Sequence, residues 1–194
     1  MSTALLITII VVVVLIILLL AIFFAVRRSR ARRREEQRER SREEFGQEYE
    51  RTAQEKGSEE EAERELRRRR GSVERRAEPL SDERREHYQG QWGEVERVFV
   101  DNPERSIEMA DRTVSDILHE RRFAADSSQG DEETERNLAA VHPDVADDYR
   151  EARRIRAEVV ARGAGDSDGG EQSTEDLRRA IQSYRAVYER LIEG

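Results

Sequence analysis

The sequence predicts an all-α protein: an N-terminal transmembrane helix, a charged helical stalk and a small C-terminal helical bundle. Three observations carry this prediction. Residues 4–26 (ALLITIIVVVVLIILLLAIFFAV) form a run of 23 residues without charge. Residues 27–79 are dense in Arg and Glu and poor in apolar side chains. Beyond Leu80, apolar residues recur at spacings of 3 and 4 in four segments, and no stretch alternates as a strand does.

Each element follows from its residues. In the apolar run Thr8 is the only polar side chain. As a helix the run reaches about 34 Å, enough to cross a hydrocarbon core of about 30 Å. Hydrocarbon offers backbone amides no partner, so a helix is the form this run must take there. Residues 1–3 precede it without side-chain charge. Arg27, Arg28, Arg30, Arg32, Arg33 and Arg34 follow it with no acid among them. The positive-inside rule then predicts a single-pass topology, with the N-terminus outside and the remaining chain cytoplasmic. These six arginines are the expected interface with the anionic headgroups of the inner leaflet. A cleaved secretory signal fits poorly, because the basic segment comes after a core that is too long.

Residues 27–79 read as a stalk, partly helical or disordered. Opposite charges at i, i+3 and i+4 support a solvated helix at 27–44. Ser58 and Glu61 form a capping-box pattern. The helix it opens carries only Ala62, Leu66 and Val73 along one line, too narrow a stripe for an independent core helix. A solvated helix or a weak coiled-coil seam is expected there.

Residues 80–194 read as the cytoplasmic bundle. Ser81 opens its first helix, with Tyr88, Trp92, Val95 and Phe99 on one face. Asn102-Pro103 opens the second, with Ile107, Ala110, Val114, Ile117 and Leu118 on its face and Phe123 closing it. His142-Pro143 opens the third, with Val145, Tyr149, Ala152, Ile155, Val159 and Val160. Ser173 opens the last, with Leu177, Ala180, Ile181, Tyr184, Val187, Tyr188 and Leu191. A short helical piece is expected around 137–141, and polar loops at 124–134 and 163–172. The aromatic stripe, Tyr88, Trp92, Phe99, Tyr149, Tyr184 and Tyr188, reads as core packing before it reads as a binding groove.

Composition narrows the function. Residues 27–100 carry 21 basic and 20 acidic side chains, and residues 101–194 carry 14 and 23. An outer domain this acidic argues against nucleic acid as partner. There is no cysteine, which excludes thiolate metal sites and thiol nucleophiles. Lys56 is the only lysine. The histidines, His87, His119 and His142, have no metal-ligand spacing, so no metal is expected. Residues 166–171 (DSDGGE) start like a calcium loop but place Glu171 and Leu177 where that loop requires Gly and Glu. No catalytic or cofactor signature stands out, and none is expected.

FGQEYERT at 45–52, AERELRRR at 62–69, LSDERREHYQGQWGEVERVFVDNPERSIEMAD at 80–111, HPDVADDYREA at 142–152 and STEDLRRAIQSYRAVYERLIEG at 173–194 resemble an uncharacterised group of actinobacterial single-pass, membrane-anchored proteins of unknown function. Gln47 departs from that pattern, which often has Pro there. The resemblance implies a bacterial cell membrane location and a high-GC source, and supplies no activity. It also implies that FGQEYERT is a docking segment, with Phe45 and Tyr49 as its anchors.

The function expected is a non-enzymatic, membrane-tethered adaptor or scaffold that binds a protein partner or self-associates. One alternative is a small-ligand-binding or enzymatic helical domain, which buried Arg or Asp on the core faces would favour. The other is a coiled-coil oligomer built on residues 58–78 and 175–192.

Overall fold

The structure is a computed structural model that describes residues 35–124, 130–163 and 170–193. The apolar run and the six arginines that follow it lie outside the described residues, as does the acidic loop at 166–169. Among the described residues no helix is long and apolar enough to cross a membrane.

The chain forms two compact units, residues 1–44 and residues 45–194. In the smaller unit the described residues, 35–44, are helical. The larger unit contains α1 (45–56), α2 (Glu59–Arg76), α3 (Asp82–Asp101), α4 (Pro103–Glu120), α5 (Asp131–Val141), α6 (Pro143–Gly163) and α7 (Gly170–Glu193). All elements among the described residues are α-helical, as the periodicity predicts.

Capping chemistry sets the helix starts. The Ser58 hydroxyl accepts from the Glu61 N–H at 3.4 Å, and the Ser81 hydroxyl from the Arg84 N–H at 3.2 Å. Asn102 ends α3 and begins α4, its side-chain oxygen accepting from the Arg105 N–H at 3.1 Å with Pro103 in the first turn. Helix α5 begins at Asp131, earlier than the short piece expected around 137–141. Its first turn holds Asp131, Glu132 and Glu133, acids that favour a helix N-terminus. Helix α7 begins at Gly170, about a turn before Ser173.

Helices α3, α4, α6 and α7 form the bundle. Ile107, Ala110, Val114, Ile117 and Leu118 of α4 are buried against Ala180, Tyr184, Val187 and Leu191 of α7 and Ala152 and Ile155 of α6. The Trp92 ring lies flat on Tyr188, with centroids 4.5 Å apart. The aromatic stripe is core, apart from half-buried Phe99. Val160, placed on the inner face by its spacing, is 55% exposed instead.

The compact unit starts at Phe45, not at Leu80. Ala62, Leu66 and Val73 of α2 are buried, and Val73 belongs to the main core. The stripe is narrow, but α2 packs on α5 and its arginines complete the contact. Arg69 donates to Glu133 at 2.6 Å, and Arg76 donates to the Arg122 carbonyl at 2.9 Å. Long arginine stems cover apolar surface that the count of apolar residues leaves out. Residues 45–79 are therefore part of the folded unit, not a linker to it.

Candidate functional site

Phe45 and Tyr49, the expected docking anchors, have no exposed surface. They form a small cluster with Leu66, separate from the main core. The Arg70 guanidinium lies over the Phe45 ring, 5.9 Å from its centroid. A segment whose large side chains point inward offers no exposed apolar anchor to a partner. Within the chain, Phe45 and Tyr49 of the FGQEYERT segment pack on Leu66.

The polar side of α1 is held by one arginine. Arg150 of α6 pairs with Glu48 of α1 at 2.5 Å, Glu135 of α5 at 2.5 Å and Asp147 of its own helix at 2.9 Å. Arg51 adds a more exposed pair with Asp147 at 2.8 Å. Burial opposes the charge on Arg150, but Glu135 and Glu48 outweigh it and raise its pKa. Two glycines take left-handed conformations, Gly46 at φ +52° inside the run of helical residues and Gly57 at φ +71° just after it. A polar cavity of about 50 Å³ remains under the helix, lined by Glu48, Thr52, Lys56, Glu65 and Arg69 among others.

A second polar cluster sits where α4, α5 and α7 end. Arg121, just past α4, is buried, and among the described residues no carboxylate pairs with it. Its Nη1 donates to the Leu191 carbonyl at 2.7 Å, its Nε has no hydrogen-bond partner, and its guanidinium lies 5.3 Å from the Phe123 ring centroid. The carbonyls at the end of α7 carry the negative end of that helix dipole, which gives the cation a counterpart. Burial lowers the Arg121 pKa. His142 is the single residue between α5 and α6, buried and stacked on Phe123 at 5.5 Å. Neither of its ring nitrogens has a hydrogen-bond partner. Burial, together with Arg190 and Arg121, pulls its pKa down to about 4, so the ring is neutral at pH 7.

No protein-family model matches the chain, and no curated protein and no solved structure matches it significantly.

Sequence reasoning missed Arg121 and read His142 only as a helix-entry residue without metal-ligand spacing. Arg121 sits where a cation complements a helix end, and His142 precedes a proline, so each has an ordinary local explanation. Arg121 is the buried core-face arginine that a ligand-binding domain would show, but its contacts are structural: a helix-end carbonyl and an aromatic ring. Asp111 is largely buried too, and it accepts from the Tyr184 hydroxyl at 2.8 Å while pairing with Arg156 at 3.3 Å. Burial and the Asp111 charge raise the Tyr184 pKa. An open groove between α3 and α4, about 200 Å³, is lined by Gln91, Glu94, Met109, Arg112, Thr113 and Asp116. Ligand pockets are usually about 300–1,000 Å³ with convergent polar groups. Among the described residues no group of three potential ligands converges on a metal position.

Proposed function

We propose that this protein is a non-enzymatic scaffold or adaptor held at the inner face of a bacterial cell membrane. The observation that carries the reading is the order of parts along the chain. An uncharged 23-residue run and a six-arginine flank precede a compact helical unit that begins at Phe45. The run supplies the anchor, the arginines set its direction, and the unit supplies the surface for a protein partner or a second copy. Tethering raises the effective concentration of that surface for anything else in the same membrane. Helix caps and ion pairs such as Arg84 to Glu120 and Arg69 to Glu133 support the reading, because they give those polar side chains a structural task.

The test is proximity labelling with the full-length protein in its own membrane. Deleting residues 45–52 is not a suitable control, since it removes two buried aromatics. The control is a chain with Arg27, Arg28, Arg30, Arg32, Arg33 and Arg34 replaced by Gln. A defined set of neighbours at the cytoplasmic face, altered in that control, is expected. Enrichment of nothing beyond the protein itself would sink the adaptor reading.

A further inference from the structure

We propose that the seat of α1, formed by Leu66 of α2, Glu135 of α5 and Arg150 of α6, is a self-association site that accepts α1 of a second copy of this chain in place of its own. The inference rests on the scaffold reading and names the partner.

The argument is one of separability. Helix α2 is fastened to the main core by Val73 and by the Arg76 bonds to the Arg122 and Phe123 carbonyls. Helix α1 is not. Its apolar ties, Phe45 and Tyr49 on Leu66, form a cluster of their own. Its polar ties include Glu48 to Arg150 and Arg51 to Asp147. A polar cavity of about 50 Å³ lies beside it, lined by Glu48, Thr52 and Lys56 together with Glu65 and Arg69. Gly57, left-handed and with open space around its α-carbon, lies in the short connection to α2 and can change conformation at low cost. An element with its own ties, next to a permissive hinge, is the kind that protomers exchange.

The seat also names its occupant. It presents the Arg150 cation between Glu135 and Asp147, beside a seat for two aromatic rings on Leu66. Glu48 supplies the third carboxylate and Phe45 and Tyr49 supply the rings, so an identical α1 matches it side chain for side chain. Two chains in one membrane meet at high effective concentration, which favours the exchange.

Lys56 makes this testable, because it is the only lysine and lines the cavity with Glu65. Unlabelled and ¹⁵N-labelled full-length chains are incubated together in detergent and reconstituted into phosphatidylglycerol–phosphatidylethanolamine vesicles. A carbodiimide then joins the Lys56 amine to a neighbouring carboxylate with no spacer. Peptides linking Lys56 to Glu65 should carry mixed labels in about half of cases if exchange is complete. Mixed labels no more frequent than when separately reconstituted vesicles are combined just before crosslinking would overturn the proposal.

A charge swap gives an independent reading. Glu48→Arg and Arg150→Glu each place like charges together within one chain, and only exchange between the two variants restores both pairs. Two-tag capture from the mixture should exceed capture from either variant alone several-fold, and equal capture would overturn the proposal. Vesicle flotation reads the anchor separately. Chains that fail to float but still give mixed-label peptides in detergent would count against the membrane reading and leave self-association standing.

Discussion

His142 carries the clearest pH dependence of any single residue. Its pKa in the folded chain is lowered from 6.5 to about 4, so folding favours the neutral ring. The stability this contributes is fully present above pH 6.5 and is lost as the pH falls toward 4. Among the described residues, the charges acting on the ring include Arg190 of α7, Arg121 and Arg70 of α2, opposed by Asp144 of α6. The His142→Leu variant should therefore lose less stability than the wild type between pH 7 and pH 4.5. The difference should approach about 2–3 kcal/mol by urea titration. Parallel stability–pH curves for the two proteins would show that the ring is hydrated in solution. The Tyr184 hydroxyl makes a different kind of contribution. Tyr184→Phe should cost about 1–2 kcal/mol, because Asp111 loses a buried donor while keeping Arg156. A melting temperature equal to that of the wild type would contradict this.

Glycines separate conformational from packing effects among the helices. Gly57 at φ +71° has nothing within 4 Å of the position a β-carbon would take. Gly57→Ala should therefore destabilise by about 1 kcal/mol through backbone strain alone. Gly90 and Gly93 lie inside α3 with equally open surroundings. Alanine at either should stabilise by about 0.5–1 kcal/mol, since a helix interior favours it. Chemical denaturation of the three variants checks both signs. The same scale shows what was legible in the chain. Ser81, Asn102-Pro103 and His142-Pro143 are local signals with local causes, and each helix starts where they place it. Leu66 and Val73 were not legible as core, because their burial depends on α5 and on arginine stems contributed from elsewhere in the fold. Nor was the burial of Phe45 and Tyr49, whose cover comes from residues about 20 positions away.

At the scale of the whole molecule, the compact unit defines what folds together. A fragment of residues 45–194 should unfold in one cooperative transition. A fragment of residues 80–194 loses Val73 from the core and uncovers the α5 and α6 faces that α1 and α2 hide. It should melt at a lower temperature, bind a hydrophobic dye and aggregate. Calorimetry on the two fragments decides the boundary, and equal melting temperatures would return it to Leu80. The candidate site was less legible than the fold. The aromatic pair at 45 and 49 was visible as a feature. Its meaning depended on whether it faced solvent or the chain itself, which the packing on Leu66 and the pairing of Glu48 with Arg150, 102 residues away, decide together.

That pairing has a mechanical side. A load applied from the N-terminal end of the unit enters at Phe45 and meets Glu48, Tyr49 and Arg51 in turn before it reaches α2. The ties would fail one after another at modest force while Val73 and the Arg76 bonds still hold the bundle. Helix α1 would then act as a fuse, extending first and sparing the fold behind it.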